Sequence, residues 1–163
     1  MMQCPNTIAK MLMIKPKVYL AGPVTGLTKS AAGNWRHDVK IWLESFDVDS
    51  IDPMRMMPDG MTDDTVLLDN MEGACSASDP SAVLARCHWD LQRCDAVLAY
   101  MSGAETASIG TSMELAWAVA YNKPIIIVDE AGSPHDHCMI RSATPYFYRS
   151  LDEAVDVIWK LFA

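Results

Sequence analysis

The chain has 163 residues, of which 50% are hydrophobic and 21% are charged. This is the size and composition of a single globular domain that buries a full core without a disulfide or metal staple. The net charge of −8, from 13 basic and 21 acidic residues, argues against binding to a nucleic-acid backbone, which requires a basic patch. The charge leaves room for a pocket that holds one small anion, and no apolar run approaches the roughly 18 residues of a membrane span.

The cysteines and histidines favour neither a disulfide framework nor a metal site. Five cysteines are an odd number, and none of them forms a CxxC pair, so buried thiols in a reducing cytosol are expected. The run His135-Asp136-His137 has no companion ligand at a standard metal-binding spacing. Lysines at positions 10, 15 and 17 interrupt any apolar leader. We therefore expect a cytoplasmic protein without metal or cofactor.

The first third of the chain predicts two strands and one helix after a tail. Residues 1–13 have no clear period and are predicted to be a flexible tail. A β-rich run at 17–21 stops at Gly22-Pro23 and predicts a buried strand that leads into a loop over 22–34. Apolar residues at helical spacing predict a helix over 35–46, and a weak strand follows at 47–51.

The remaining two thirds of the chain predict further alternating helices and strands after a long connection. Residues 54–80 are weakly periodic and long for a connection, which predicts a flap or insertion. Ser81 is predicted to cap the helix that follows. The predicted elements are a helix over 82–93, a strand over 96–101, a helix over 112–121, strands over 124–128 and 144–148, and a helix over 150–162.

Strands that are apolar throughout and alternate with helices predict one α/β domain over residues 14–163. The expected architecture is a Rossmann-like or flavodoxin-like doubly wound sheet of about five mainly parallel strands, with helices on both faces. Ligands of such folds bind beyond the carboxyl ends of the strands. This rule points to the loops over 22–34, 102–111 and 129–140.

Two carboxylates, Glu114 and Asp90, are candidates for chemistry beyond those strand ends. Thr111-x-x-Glu114 has the form of a capping box, so a purely structural role for Glu114 stays open. The last predicted helix carries the same pattern, Ser150-x-x-Glu153, where no chemistry is expected. Two carboxylates from neighbouring elements suit retaining glycoside chemistry, in which one attacks the anomeric carbon and the other handles protons.

Several runs resemble the nucleoside 2-deoxyribosyltransferase family, including its phage-type members. The most specific is Gly110-Thr111-Ser112-Met113-Glu114-Leu115 with the following Lys123-Pro124, and the others are Tyr19-Leu20-Ala21-Gly22-Pro23, Asp52-Pro53, and Asp90 ahead of Cys94-Asp95-Ala96. The resemblance spans about residues 17–162. It implies a Rossmann-like fold and a covalent glycosyl-enzyme intermediate.

The resemblance also implies roles for single residues. Glu114 matches the family's nucleophile, and Asp90 matches the acidic residue that assists protonation of the leaving base and orients the sugar. Tyr19 and Gly22 match pocket residues of the first strand, and His137 stands where members place a residue that reaches the neighbouring subunit's site. Further candidates for substrate contact are Pro23, Thr25, Trp35, Ser102, Ser108, Gly110, Thr111 and Met139. The family pattern implies a homodimer or larger homo-oligomer with shared sites.

One departure from the family bears on the substrate. Six residues before Glu114, where transferases usually have an aspartate that holds the sugar's 5′-hydroxyl, this chain has Ser108. Serine at this position resembles the branch of the family that hydrolyses deoxynucleoside 5′-monophosphates, and a hydroxyl, unlike a carboxylate, does not repel a 5′-phosphate. The resemblance therefore implies hydrolysis of a deoxynucleoside 5′-monophosphate without a cofactor. The alternatives are a base-exchanging deoxyribosyltransferase, and a nucleotide-binding module without catalytic activity.

Overall fold

The computed structural model describes residues 14–58, 60–68 and 79–163. The predicted tail over 1–13 lies outside the described residues, and the predicted flap over 54–80 is described only in part.

Five parallel strands form one sheet at the centre of the described residues, in the order β2-β1-β3-β4-β5. This is the flavodoxin-like order, so the predicted doubly wound α/β fold is confirmed. The strands β1 and β3 are buried on both faces, which is why their sequences are apolar almost throughout. The strands are β1 (Lys17–Ala21), β2 (Asp49–Ile51), β3 (Ala96–Tyr100), β4 (Ile125–Val128) and β5 (Tyr146–Tyr148).

Helices cover both faces of the sheet. They are α1 (Lys29–Ser45), α2 (Pro80–Arg93), α3 (Ile109–Ala120), α4 (Cys138–Ser142) and α5 (Leu151–Phe162), with a 3₁₀ helix over Pro53–Met56. α1 and α5 pack on one face, against side chains such as Val18 and Leu20. α2 and α3 pack on the other face, against Tyr19 and Ala21. Alternate residues of β1 thus enter opposite cores, as the two-residue period of a strand requires.

Three helix starts differ from the sequence prediction. α1 begins at Lys29 under the cap residue Thr28, so the loop after β1 is shorter than predicted. The cap of α2 is Asp79 and not Ser81, since the Asp79 side chain accepts the Ser81 amide at 2.9 Å. The cap of α3 is Ser108 and not Thr111.

Two further details concern the second half of the chain. The helix α4 begins at Cys138, inside the range predicted as a loop over 129–140, and ends at Ser142. The loop prediction was therefore wrong for its last three residues. Ser150 is the N-cap of α5, because its hydroxyl accepts the Glu153 amide at 3.4 Å, and the hydroxyl also donates to the Glu153 carboxylate at 3.2 Å. No helix in the described part of the chain is long and apolar enough to cross a membrane.

The described part of segment 54–80 is held against the loop after β1 by backbone hydrogen bonds. The Gly26 amide donates to the Leu67 carbonyl at 2.8 Å, and the Leu67 amide donates to the Leu27 carbonyl at 2.8 Å. Thr28 and Val66 form an antiparallel bridge, and the Leu67 side chain is fully buried. This segment therefore forms a wall beside the carboxyl end of β1.

Candidate active site

A cavity of about 370 Å³ opens beside the carboxyl ends of β1 and β2, against the helices α2 and α3. This volume lies within the usual range for small-molecule sites, and the position follows the rule for doubly wound sheets. Most of the wall is apolar. Its largest apolar side chains are Met54, Met56, Met57, Leu68, Leu84, Met113 and Trp117.

Glu114 provides the one acidic side chain among the cavity-lining residues in the described ranges. Ser108 caps α3, so Glu114 lies in the second turn of that helix and takes no part in the cap. Its side chain is only 8% exposed, and Oε1 accepts a hydrogen bond from the Tyr19 hydroxyl at 2.5 Å. The capping explanation for this carboxylate is therefore wrong.

Burial raises the pKa of Glu114 to about 7. The hydrogen bond from Tyr19 and the charge of Arg36 act in the opposite direction and stabilise the ionised form. Burial also raises the pKa of Tyr19 well above its usual value, so the phenol stays protonated and serves as a donor. At neutral pH a large fraction of Glu114 is thus a poorly solvated carboxylate, which is the state of a nucleophile.

Arg36 of α1 holds the backbone at the end of β1, close to Glu114. The sequence analysis did not identify this residue. Its side chain is 1% exposed, and its Nη2 donates to the Gly22 carbonyl at 2.9 Å while Nε donates to the Leu20 carbonyl at 3.3 Å. Asp52 lies 3.7 Å from Nε and supplies the balancing charge. The guanidinium therefore fixes the carboxyl end of β1 and places a positive charge near Glu114.

Cys87 of α2 lines the same cavity as Glu114. It is 6% exposed and packs in the same buried cluster as Tyr19. The sequence predicted only that Cys87 is a buried thiol. Its neighbour Arg86 also lines the cavity, and its Nη2 donates to the Pro53 carbonyl at 3.3 Å.

Ser108 binds protein groups at the start of α3. Its Oγ accepts the Thr111 amide at 3.2 Å and lies 3.0 Å from the Thr111 hydroxyl. Its own amide donates to Nε2 of His135 at 2.8 Å, and burial lowers the pKa of that buried imidazole. Thr111 and Gly110 line the cavity, whereas Ser108 is outside its lining residues. His135 thus fixes the turn before α3.

A family model described as nucleoside 2-deoxyribosyltransferase matches residues 18–146. The chain belongs to the nucleoside 2-deoxyribosyltransferase family. The matched range holds Cys87 and Glu114, which line the cavity, and Tyr19 and Arg36, which lie behind Glu114. The resemblance proposed from the sequence motifs is confirmed. No curated protein sequence matches the chain.

Solved structures share the fold of this deoxyribosyltransferase-family protein at low identity. A 2-desoxiribosyltransferase from Leishmania mexicana has a TM-score of 0.64 at 16% identity, covering 89% of this chain and 97% of that one. The CMP N-glycosidase BcmB from Clostridium botulinum has a TM-score of 0.54 at 16% identity, with coverages of 90% and 99%. A molybdenum cofactor binding protein from Rippkaea orientalis has a TM-score of 0.57 at 18% identity, with coverages of 93% and 99%. At these identities the likeness shows the fold alone.

Asp90 of α2, which the family resemblance placed beside Glu114, lies outside the cavity lining. Its side chain is fully buried and forms ion pairs with Arg55 at 2.6 Å and with Arg93 at 2.9 Å. Asp90 is outside the residues that line the cavity, and no described hydrogen bond joins it to Glu114. The structure therefore brings Tyr19 and Cys87 to Glu114 and places Asp90 between two arginines.

Trp35, a predicted substrate-contact residue, lies outside the cavity lining. Trp35 is 7% exposed and packs on Tyr100, with ring centroids 5.1 Å apart, so it belongs to the core. Trp89 is exposed and stacks under Arg93. Trp117 of α3, which the sequence analysis did not single out, lines the cavity and has His88 against it at 5.0 Å.

The remaining predicted contact residues divide into two groups. Gly22 and Thr25 line the cavity with Gly110 and Thr111. Pro23 and Ser102 are outside the lining residues, as are His137 and Met139. His137 caps the short helix α4 by accepting the Met139 amide at 3.3 Å, and the Met139 side chain is 75% exposed. Among the described residues, no cluster of His, Cys, Asp and Glu could hold a metal ion.

Glu114→Gln is expected to change how the stability of the protein depends on pH. The folded-state pKa of Glu114 is raised from 4.5 to about 7, so the native state holds a proton that the unfolded chain releases between these values. Stability therefore falls as pH rises through this window, by about 3 kcal/mol in total at about 1.4 kcal/mol per unit. Urea unfolding should give the variant the same free energy of unfolding as wild type at pH 4 and a larger one at pH 8. If the two plots of unfolding free energy against pH run parallel, Glu114 is not a buried carboxylate with a raised pKa.

Proposed function

We propose that the chain hydrolyses the N-glycosidic bond of a 2′-deoxynucleoside 5′-monophosphate through a covalent glycosyl ester on Glu114. The observation that carries this proposal is the Glu114 carboxylate itself, buried at the cavity wall, held by the Tyr19 hydroxyl at 2.5 Å and free of any capping role. A structural carboxylate has no need of such a position, whereas a nucleophile requires it.

Two displacements complete the reaction. The carboxylate oxygen of Glu114 that Tyr19 does not hold attacks C1′, and the bond from C1′ to the base nitrogen breaks. Its electron pair leaves with the base, which takes a proton from water. Water then adds to C1′ and releases the Glu114 carboxylate, and its proton balances the one that the base took up. The products are the free base and deoxyribose 5-phosphate, and the residues named need no cofactor.

The apolar wall of the cavity supports a planar base as the leaving group. Met54, Met57 and Met113 present flexible, polarisable thioethers to the cavity, and Trp117 presents an indole. Such side chains pack well against the faces of a heteroaromatic ring. In this proposal the base packs against this wall while C1′ lies at Glu114.

Arg86 supports a substrate with a phosphate. It is the only cavity-lining residue in the described ranges whose side chain is positively charged. Ser108, from which the 5′-monophosphate was expected, has its Oγ bonded to Thr111. We therefore propose that Arg86 recognises the phosphate, together with Thr25 and Thr111, in charge-assisted hydrogen bonds.

Arg86→Met is expected to raise KM for a deoxynucleoside 5′-monophosphate by about 10- to 100-fold, the equivalent of a lost charge-assisted hydrogen bond. KM for the matching nucleoside should change little. Arg149→Met is the control, because Arg149 is exposed just after β5 and lies outside the cavity lining. Steady-state kinetics on both substrates measure the effect, and an equal loss for nucleoside and monophosphate would exclude phosphate recognition by Arg86.

Asp90 enters the proposal in a different role from the one that the family resemblance implied. Its ion pair with Arg55 ties α2 to the 3₁₀ helix over Pro53–Met56, whose Pro53, Met54 and Met56 line the cavity. We propose that Asp90 shapes the base-binding wall. His137 keeps its proposed place at the site of a neighbouring subunit in a homodimer, as the family pattern implies.

One assay separates the proposed hydrolase from its alternatives. Each deoxynucleoside and its 5′-monophosphate is incubated with the protein, with and without an acceptor base, and free base is followed by chromatography. Release of base without an acceptor supports hydrolysis, with the monophosphate as the better substrate. New nucleoside formed only with an acceptor indicates base exchange, and binding without any product indicates a nucleotide-binding module.

A further inference from the structure

His135 lies in the loop after β4 and is bonded to the residue that caps α3. The Ser108 amide donates to its Nε2 at 2.8 Å, and the histidine is 1% exposed. On the other side of the ring, the Ser133 hydroxyl lies 3.3 Å from Nδ1 and accepts the His135 amide at 3.1 Å. Both ring nitrogens therefore have a protein partner, and one partner belongs to the helix that carries Glu114.

These contacts fix the protonation state of the ring. A backbone amide only donates, so Nε2 of His135 must present a lone pair, and the ring is neutral with its proton on Nδ1, facing Ser133. A second proton can add only at Nε2, where it would meet the N–H of Ser108. The contact with Ser108 is thus compatible with a neutral histidine and incompatible with an imidazolium.

Ser108 connects this imidazole to the cavity. Its Oγ accepts the Thr111 amide at 3.2 Å, and its carbonyl accepts the Ser112 amide at 3.1 Å and the Ser112 hydroxyl at 2.8 Å. Thr111 lines the cavity, and Glu114 follows in the next turn of the same helix. The place of the first turn of α3 therefore depends on where Ser108 is held.

We infer that His135 is a positioning residue for the site: its neutral imidazole holds Ser108 and the first turn of α3 at the cavity, and protonation of Nε2 releases them. This inference rests on the proposed function, in which Glu114 and Thr111 of this helix bind C1′ and the phosphate. Activity is then lost in acid through two protonations, one at Glu114 and one at His135.

Asp129, just after β4, is the charged group that acts on the imidazole. Burial lowers the pKa of His135 from its ordinary 6.5, and the charge of Asp129 acts in the opposite direction. Asp129 is 1% exposed, its Oδ1 accepts the Glu130 amide at 2.9 Å, and its Oδ2 has no hydrogen-bond partner among the described residues. This carboxylate supplies the balancing charge for an imidazolium, so the protonated state is accessible.

The other charged side chains of the surrounding loops have partners of their own or face solvent. They are Glu130, which accepts the Gly103 amide at 3.1 Å, Asp136, which pairs with Arg141 at 2.9 Å, Arg149, which donates to the Asp129 carbonyl at 2.8 Å, and the exposed Glu105. Within the described ranges none of them is hydrogen-bonded to the imidazole, so burial and Asp129 set its protonation.

The first test follows the contact by NMR in the Glu114→Gln protein, where residue 114 does not titrate. The His135 ring signal, identified by its absence when His135→Gln is added, should titrate with a midpoint below 6.5. The amides of Ser108 and Thr111 should shift with the same midpoint. The amide of Ser150, which caps α5, is the control and should not follow it.

Two results of this titration would overturn the inference. One is a Ser108 amide that stays constant while His135 titrates. The other is a His135 ring that remains neutral at every pH at which the protein is folded.

The second test is the pH profile of kcat/KM for a deoxynucleoside 5′-monophosphate, from about pH 8 to about pH 5. On the acidic side the logarithm of kcat/KM should approach a slope of about 2 in wild type and about 1 in His135→Gln. The glutamine amide oxygen can accept the Ser108 amide near the place of Nε2 and does not titrate. His37→Gln is the matched control and should keep the slope of about 2, because His37 is exposed on α1.

His135→Ala separates positioning from packing. It removes the acceptor for the Ser108 amide and should lower kcat/KM at pH 8 by about tenfold, the equivalent of one lost hydrogen bond. His135→Gln should recover most of this loss, and an equal loss in both variants indicates a packing role and overturns the inference. If the alanine variant does not fold, the slopes of wild type and His135→Gln decide the question.

Failures of the two proposals can be told apart. Full activity of Glu114→Gln overturns the proposed function, while the NMR titration in that protein still tests the hold of His135 on α3. A slope of about 2 that persists in His135→Gln, or a slope of about 1 in wild type, overturns the role of His135 even when Glu114 is essential.

Discussion

Glu114→Gln is expected to lower kcat for base release by about 10³-fold or more, the scale of losing a covalent nucleophile. Glutamine has nearly the same shape and can still accept the hydrogen bond from Tyr19, so the fold is kept. An amide oxygen is a weak nucleophile, however, and forms no stable ester with C1′. Chromatography of free base at pH 7 to 8 measures the loss.

Glu153→Gln is the matched control for this substitution. Glu153 is also a helix glutamate, and its carboxylate accepts a hydrogen bond from the Ser150 hydroxyl at the start of α5. Its replacement should cost about 1 kcal/mol of stability at most and leave kcat unchanged. If both variants keep wild-type activity, Glu114 has no chemical role; if both lose activity equally, the loss reflects a general effect of removing a glutamate.

Gly22→Ala is expected to give the largest loss of stability among single small substitutions near the site. A Cβ at Gly22 would lie 2.5 Å from the Tyr100 carbonyl oxygen, 3.0 Å from Trp35 and 3.2 Å from Arg36. The closest of these atoms is backbone of β3, which cannot move away without breaking the sheet. We expect a loss of about 2–3 kcal/mol in urea unfolding.

Gly33→Ala is the control for this substitution, and it should raise the stability of the protein instead of lowering it. Gly33 lies inside α1, and a Cβ there meets nothing within 4 Å. Alanine in a helix interior should therefore stabilise the protein by about 0.5–1 kcal/mol. A Gly22→Ala protein as stable as wild type would show that the carboxyl ends of β1 and β3 are not closely packed against each other.

Local sequence patterns were sufficient to predict the sheet. Ile125–Val128 is buried on every residue, and Lys17–Ala21 is buried at all but its first, so each shows as a continuous apolar run. The N-cap of α3 was harder, because Ser108 and Thr111 are both good cap residues. Ser108 takes this place in a structure where its amide also donates to His135, a residue 27 positions away that no local pattern reveals.

The site was predicted in part because Glu114 and Tyr19 belong to recognisable motifs. Arg36 was missed because a charged residue in a helix usually faces solvent. A signal did exist, since Arg36 lies on the stripe of Ala32, Val39 and Leu43 that faces the core. A charge on an apolar stripe indicates a buried group with fixed partners.

Which side chain of α2 shares the cavity with Glu114 depends on how that helix is rotated about its own axis. Cys87, Asp90 and Leu91 are all buried, so burial alone does not separate the thiol from the carboxylate. Packing of Cys87 and Leu91 into the cluster with Tyr19 turns the thiol to the cavity, and Asp90 then meets Arg55 and Arg93 at the edge of the helix. Such a rotation is a property of the tertiary structure.

The most direct test of a covalent role for Glu114 is to trap the ester. The protein is mixed with a deoxynucleoside 5′-monophosphate, quenched in acid during turnover and analysed by mass spectrometry, first intact and then as peptides. We expect a fraction of the chains to carry one deoxyribosyl 5-phosphate group on the peptide that contains Glu114, and none in the Glu114→Gln protein. Release of free base without any adduct on Glu114, or an adduct on another residue, would contradict the proposed mechanism.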